Sequence, residues 1–355
     1  MPHLFDEWKV RGVTLRNRIG VSPMCQYSAT DGLATDWHLV HLGSRAVGGA
    51  ALVIMEASAI DARGRITPQD TGIYKDAHID PLSRITQFIK EHGSIPGIQL
   101  AHAGRKASRT IPWEGSLDIP TEQGGWETVA PSALAFDADY RAPHALTEEE
   151  IAQLIQSFRD GAKRAEEAGF QWLELHGAHG YLLHSFLSPL SNQRTDRYGG
   201  SFENRIRFIL EVARALRTTW PERLPLSVRL SCTDWIKGGW DIEETVALSR
   251  QLKAEGVDVI DASSGGLSPA QQISLGAGYQ VPFAERIRHE ADIATAAVGM
   301  ITDPMQADEL VRNGRTDLVL LARALLRDPY WPLHAAQAVH QAKLAPIPNQ
   351  YLRAF

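Results

Sequence analysis

Side chains able to do chemistry gather at a few points along this chain. His176 and His179 stand three apart in His-Gly-Ala-His-Gly-Tyr, with Tyr181 two residues on and His184 close behind. A pair of imidazoles has two main uses. Their N–H groups can converge on an oxygen and stabilise charge that develops there, or their lone pairs can hold a metal such as zinc, with His184 or Glu174 joining the set. An H-x-x-H spacing is a weak motif by itself. Glu174 precedes His176 by two residues in a strand-like run, so the two share a face. Arg229 and Arg323 offer fixed positive charge, and Gln99 offers an amide that both donates and accepts. The chain has two cysteines, Cys25 and Cys232. An anonymous cysteine usually acts as a small hydrophobe, which is the expectation for Cys232.

The elements that must position these residues are short apolar runs. Residues 18–21, 51–56, 96–101, 170–175, 226–230, 257–262, 293–298 and 317–321 read as eight strands, separated by amphipathic stretches of helical period. Thr147 and Glu150 form a capping-box pattern that opens a helix running to about Ala168, before Gly169. A second helix runs from Asp241 to Glu255 and stops at Gly256. Strands alternating with helices predict the α/β class and a single (β/α)8 TIM barrel, whose active site lies at the C-terminal strand ends. Such a barrel needs about 250 residues, and the chain has 355. The surplus is assigned to an insertion after strand three, residues 104–145, and to a C-terminal extension, residues 328–355. Residues 1–355 are expected to form one domain.

Composition narrows the class further. With 36 basic and 42 acidic residues the formal charge is −6, which argues against a nucleic-acid partner. Hydrophobic residues at 44% and charged residues at 22% describe a globular protein with a large core. Two cysteines are too few for a disulfide framework and point to the cytoplasm. The N-terminus lacks the blocks of a signal peptide, and no apolar run has membrane-spanning length.

Taken together, the strings at the strand ends resemble the Old Yellow Enzyme family of flavin-dependent ene-reductases. The resemblance is to its bacterial thermophilic-like branch, which includes NADPH dehydrogenases and xenobiotic reductases. It is carried by Leu15-Arg-Asn-Arg18, Ser22-Pro-Met-Cys25, Gly64-Arg-Ile-Thr67 and Gln99-Leu-Ala-His-Ala-Gly-Arg-Lys106. It continues through residues 176–181, Ser188-Pro-Leu-Ser-Asn192, Arg194-Thr-Asp196, Tyr198-Gly-Gly-Ser201 and Glu203-Asn-Arg205, in family order over nearly the whole chain.

The resemblance implies a non-covalent FMN, with NADPH or NADH as reductant. Ser22, Pro23, Met24, Cys25 and Ala57 would line the ring, and Gln99 would meet its pyrimidine edge. Arg229 would sit near the N1–O2 edge, where a fixed charge favours the anionic reduced ring. Gly299, Ala322 and Arg323 would receive the phosphate, at the usual anion site of such barrels. His176 and His179 would polarise the carbonyl of an enone or the corresponding group of a nitro substrate, with Tyr27 adding a hydroxyl. Tyr181 would protonate the α-carbon, and Cys25 would tune the flavin potential. Lys106, and Arg105 beside it, would stand near the pocket, where they can favour an NADPH phosphate. Arg353 would reach a neighbouring subunit's site in a homo-oligomer, a dimer or tetramer. Trp113 and Trp126, in the insertion, either shape the entrance or pack within the loop. Two alternatives stay open: a metal-dependent barrel hydrolase or lyase using His176, His179 and Glu174, and a non-catalytic flavin redox sensor.

Overall fold

The computed structural model describes residues 1–354. Eight parallel strands close into a barrel: β1 Ile19–Val21, β2 Leu52–Ala59, β3 Ile95–Ala101, β4 Trp172–Gly177, β5 Leu226–Ser231, β6 Val259–Ser263, β7 Ala294–Ala297 and β8 Leu318–Leu321. Every neighbour in sequence is a neighbour in the barrel, and β8 closes on β1 through Val319–Ile19 and Leu321–Val21 pairs. This is the predicted TIM barrel, with a helix following each strand.

Strand residues are buried on both faces, because one side fills the barrel and the other meets the helices. That burial explains the boundary differences. The strand predicted at residues 170–175 runs instead from Trp172 to Gly177, so His176 lies within β4 rather than after it. Glu174 and His176 face the barrel interior in alternation, and their polarity makes the end of the run look like a loop. β5 runs one residue past the expected end, to Ser231, and holds Arg229 within the strand as expected. A register shift between Met55 and Ala57 in β2 leaves Glu56 as an extra residue at a bulge, a common device for re-aiming a strand beside a site.

The capping box is formed as predicted. Thr147 accepts the Glu150 N–H, and Glu150 accepts the Thr147 N–H in return, opening the helix Glu148–Glu167. Asp241 caps the helix Ile242–Ala254. An N-terminal hairpin that the sequence reading omitted, Trp8–Val10 with Val13–Leu15, covers the lower end of the barrel. Trp8 meets Trp172 at the start of β4 with ring centroids 6.4 Å apart, and Arg11 pairs with Asp258 just before β6.

The insertion of residues 104–145 carries short 3-10 turns and a two-stranded parallel pairing of Val129–Ala130 with His144–Ala145. The C-terminal extension begins with the helix Trp331–Ala338, fixed by a hydrogen bond from the Trp331 indole to the Thr302 carbonyl. It ends in the exposed turn Asn349–Ala354; residue 355 lies outside the described residues. No helix among the described residues is long and apolar enough to cross a membrane.

Candidate active site

The mouth of the barrel is built around the turn that follows β4. His176 makes edge-to-face contacts with His179 and Tyr181, at ring-centroid distances of 5.2 and 5.0 Å. His176 Nδ1 accepts the Ala178 N–H at 3.2 Å, so its proton is carried on Nε2, which remains a donor. His179 holds a left-handed backbone, φ +61°, and its Nε2 lies 2.7 Å from the Ser263 hydroxyl. Burial pushes both imidazoles well below their ordinary pKa, helped at His176 by Arg229 and at His179 by His176. They are neutral N–H groups at physiological pH. The Tyr181 phenol is pushed up, mainly by burial and then by Cys25, so it retains its proton. Two neutral donors and one phenolic acid therefore share one turn.

Beneath this turn, polar side chains fill the barrel interior. Arg229 donates to Asp261 at 2.5 Å and to the Ser22 hydroxyl at 2.7 Å. Gln99 donates to Glu174 at 2.9 Å, and Ser227 donates to the other Glu174 oxygen at 3.0 Å. Burial, and then the negative charge of Asp261, push the Glu174 carboxyl up to about 7. Glu174 is thus committed to Gln99 and Ser227, not to the two histidines. Among the described residues no three His, Cys, Asp or Glu side chains converge as a metal set. The hydrolase or lyase alternative, which needs Glu174 beside His176 and His179, lacks its ligand constellation; occupied hydrogen bonds prevent the convergence that strand alternation allowed.

Beside the turn lies a cavity of about 460 Å³, within the range of small-ligand sites. Ser22, Pro23, His179 and Arg229 line one end, and Gly299, Ala322 and Arg323 line the other. Gly299 has φ +120°, and a Cβ there would come within 2.8 Å of the Gln280 amide nitrogen; only glycine suits the position. Arg323 is exposed and makes no hydrogen bond or ion pair with the described residues. Arg327 lies four residues on in the same helix, lines the same cavity and is equally unpaired. Two uncommitted guanidiniums suit an anion, while Arg229 and Ser22 supply polar partners for a heteroaromatic edge; Gln99 lies beneath the cavity, bonded to Glu174, and does not line it. An elongated group with a terminal phosphate and a polar ring fits this donor set.

A family model described as the NADH:flavin oxidoreductase / NADH oxidase family matches residues 3–342. The chain belongs to that family. It is an FMN-dependent oxidoreductase of the Old Yellow Enzyme type. It is 50% identical over 336 residues to an NADPH dehydrogenase of Geobacillus sp. (strain WCH70), covering 94% of each chain. The Bacillus subtilis (strain 168) NADPH dehydrogenase is 47% identical over 352 residues, covering 99% of this chain and 98% of that one. Among solved structures, morphinone reductase in complex with tetrahydroNAD superposes with a TM-score of 0.80 at 26% identity, covering 95% of this chain and 91% of the other. An old yellow enzyme homologue from Zymomonas mobilis gives 0.78 at 25%, covering 95% and 93%.

In this flavin oxidoreductase the remaining sequence-nominated residues fall around, rather than in, the large cavity. Ala57 and Tyr181 line a separate recess of about 10 Å³ with Asp70, room for no more than one water molecule. Met24 packs against the core. Cys25 is partly exposed, and burial, with Asp70 and Glu56 nearby, pushes its thiol well up, so it is not a thiolate. Tyr27 sits in a left-handed conformation with Trp113 edge-on at 5.9 Å. Trp113 is 67% exposed, whereas the Trp126 indole is tied to the Arg63 carbonyl at 2.9 Å.

Lys106 Nζ donates to the carbonyls of His179 and Gly266, both at 3.0 Å. The Arg105 guanidinium is spent on the carbonyls of Leu134, Ala135 and Leu267, leaving it no role toward a nucleotide phosphate. Arg353 is exposed in the terminal turn and does not line its own chain's cavity.

Sequence reasoning missed several lining residues. Gln280 donates to the Val298 carbonyl and accepts from Ser264 at 2.6 Å, bracing the ends of β6 and β7. It sits in a loop with no motif, so nothing local marks it. Arg327 was legible in principle, because arginines four apart on a helix share a face. Asp261 was legible too, as a charge inside an apolar strand signals a buried partner.

Proposed function

We propose that the whole chain, as one FMN-binding unit, is an NADPH dehydrogenase acting as an ene-reductase on α,β-unsaturated carbonyl or nitro compounds. The observation that carries this reading is the cluster of His176, His179 and Tyr181 rings, whose member His179 lines the cavity that Arg229 and Arg323 also line. FMN, when bound, would supply the hydride chemistry that links the nicotinamide to the substrate β-carbon. His176 donates its Nε2–H, and His179 a second N–H, to the substrate oxygen on which negative charge develops. Neutral imidazoles serve here because they donate without titrating near neutrality. Tyr181 holds a proton for the α-carbon on the opposite face. Arg323, with Arg327, holds the phosphate, and Arg229, Gln99 and Ser22 meet the pyrimidine edge.

Met24, Cys25 and Ala57 flank the ring, and Cys25, as a neutral thiol, adjusts its potential. Tyr27 and Lys106 border the substrate. The reductant and the oxidant occupy one place in turn, a ping-pong order. The choice of NADPH rests on the names of the relatives. The proposal further includes a cytoplasmic location and a homo-oligomer, dimer or tetramer, in which the exposed Arg353 enters a neighbour's site.

Stopped-flow spectroscopy of the two half-reactions tests this reading. NADPH bleaches the flavin and an enone restores its colour. Tyr181→Phe slows reoxidation by the enone by about 10²-fold or more, the usual contribution of a general acid, and leaves bleaching within a few fold. Equal losses in both half-reactions, or a colourless protein that ignores added FMN, refute it.

A further inference from the structure

The turn that presents His179 and Tyr181 has a conformation that needs holding. His179 and Gly180 are consecutive left-handed residues, φ +61° and +72°. A non-glycine residue pays about 1–2 kcal/mol for that region, so contacts around it must select it. Three polar groups of the turn are captured. The Ser231 hydroxyl accepts the His179 N–H at 2.9 Å, and Lys106 donates to the His179 carbonyl. The third group, the Gly180 N–H, donates to His184 Nδ1 at 2.9 Å.

His184 and Asp234 are both fully buried, and His184 Nε2 lies 3.0 Å from Asp234 Oδ1. The two atoms meet as an ion-pair contact, and neither has a hydrogen-bond partner elsewhere that could satisfy it. Asp234 Oδ2 accepts from the Ser188 hydroxyl at 2.6 Å and the Trp240 N–H at 2.7 Å. Burial raises the Asp234 carboxyl, but the His184, Ser188 and Trp240 donors outweigh it and hold the group below its usual range. It is a carboxylate, and it needs a donor from His184. Because Nδ1 accepts the Gly180 N–H, the single ring proton must sit on Nε2, facing Asp234. Each partner thus dictates the other's role. His184 does not line the large cavity.

We propose that Asp234 and His184 are positioning residues: the carboxylate selects the Nε2–H tautomer of His184, whose Nδ1 then holds the turn that aims His179 and Tyr181 at substrate. It rests on the ene-reductase reading for what the turn does, but not for how it is held. Three substitutions separate positioning from packing. Asp234→Asn cannot serve Trp240, Ser188 and His184 at once; turned to satisfy the first two, it presents N–H to His184 Nε2 and drives the proton to Nδ1, against Gly180. His184→Gln places its amide near the Nε2 position and leaves Gly180 without an acceptor. His184→Asn places an oxygen near the Nδ1 position and can still accept from Gly180, though its side chain is smaller than that of glutamine.

The expected result is an FMN content equal to that of the unaltered holoenzyme in all three. Reoxidation by an enone falls roughly 10- to 100-fold in Asp234→Asn and His184→Gln, as for a displacement near 1 Å. His184→Asn recovers at least half of that loss on a logarithmic scale. A packing role predicts the reverse order, with asparagine worse than glutamine, and that order overturns the proposal. Nitrogen-15 spectra of the histidine-labelled holoenzyme give an independent readout. A His184 Nδ1 that carries no proton supports the pair; a protonated Nδ1 refutes it even if the variants fail to fold. If the flavin reduces normally but no enone restores its colour, the ene-reductase reading fails while the tautomer still decides this one.

Discussion

Replacing Arg229 by methionine isolates the electrostatics of the barrel interior. Arg229 is 5% exposed and Asp261 0%, and the guanidinium reaches Asp261 Oδ2 at 2.5 Å. Asp261 Oδ1 has no hydrogen-bond partner, so Arg229 is the charge that compensates this carboxylate. Methionine keeps the aliphatic bulk and removes that charge. Breaking one side of a buried pair costs about 3–5 kcal/mol. At about 2.1 cal/mol/K of unfolding entropy per residue, a chain of this length loses roughly 4–7 °C in Tm.

The deficit has a defined pH dependence. Burial already holds the Asp261 carboxyl above its usual range despite Arg229, and losing Arg229 raises it further. The unfolded chain releases this proton near pH 4 while the folded variant still binds it. The variant's deficit relative to the parent is therefore smallest where both folded forms hold the proton, grows once pH passes the folded value of the Arg229-paired carboxyl, and levels off above that of the variant. Thermal unfolding of apoprotein and FMN-loaded protein at pH 5 and pH 8 measures it, with the apoprotein separating stability from flavin affinity. Arg229→Met combined with Asp261→Asn removes the stranded charge and regains more than half of the lost Tm. A single variant that loses less than about 1 °C, or a double variant no more stable than the single, refutes the argument.

Other outcomes follow from individual contacts. Thr147→Ala removes one arm of the capping box and costs about 1 kcal/mol, read as a Tm drop of about 1–2 °C by calorimetry. The same box, with His144, holds the Glu150 carboxyl down at about 2. Its contribution to stability is complete above the ordinary glutamate range and is lost as pH falls toward 2, so the deficit of Glu150→Ala, which removes the carboxylate that accepts the Thr147 N–H, is larger at pH 7 than at pH 2.5. Arg323→Ala weakens FMN about 10- to 100-fold in a fluorescence titration, the worth of one charge-assisted hydrogen bond. It leaves the apoprotein Tm unchanged, because Arg323 has no hydrogen-bond or ion-pair partner among the described residues; a drop in apoprotein Tm instead would assign it a structural role.

The eight strands and the capped helices were legible because their signals are local. An apolar run bounded by glycine, or a threonine three residues before a glutamate, needs no knowledge of what packs against it. The clustering of His176, His179 and Tyr181 was legible for the same reason, since six consecutive residues at the end of β4 and the turn after it hold all three. What blurred was each strand's polar end. His176 looks like a loop residue and becomes the end of a strand, while Glu174 and Arg229, already read within strands, find their partners in Gln99, Ser227 and Asp261 across neighbouring strands. The N-terminal hairpin escaped notice because each of its strands is only three residues long, shorter than any periodicity can reveal.

By itself, then, the sequence determined which residues of this chain bear chemistry and which architecture carries them to one end of a barrel. Tertiary structure decided how those residues are divided. It committed Glu174 to Gln99 and thereby dismissed the metal site. It spent Lys106 and Arg105 on backbone carbonyls, left Arg323 and Arg327 free for an anion, and set His184 and Asp234 behind the catalytic turn. The physical reason is that hydrogen-bonding capacity is finite and is claimed by whichever partner burial brings nearest. Asp234 lies 50 residues from His184 in the chain, and no spacing rule joins them; only the fold of β5 against the turn after β4 does.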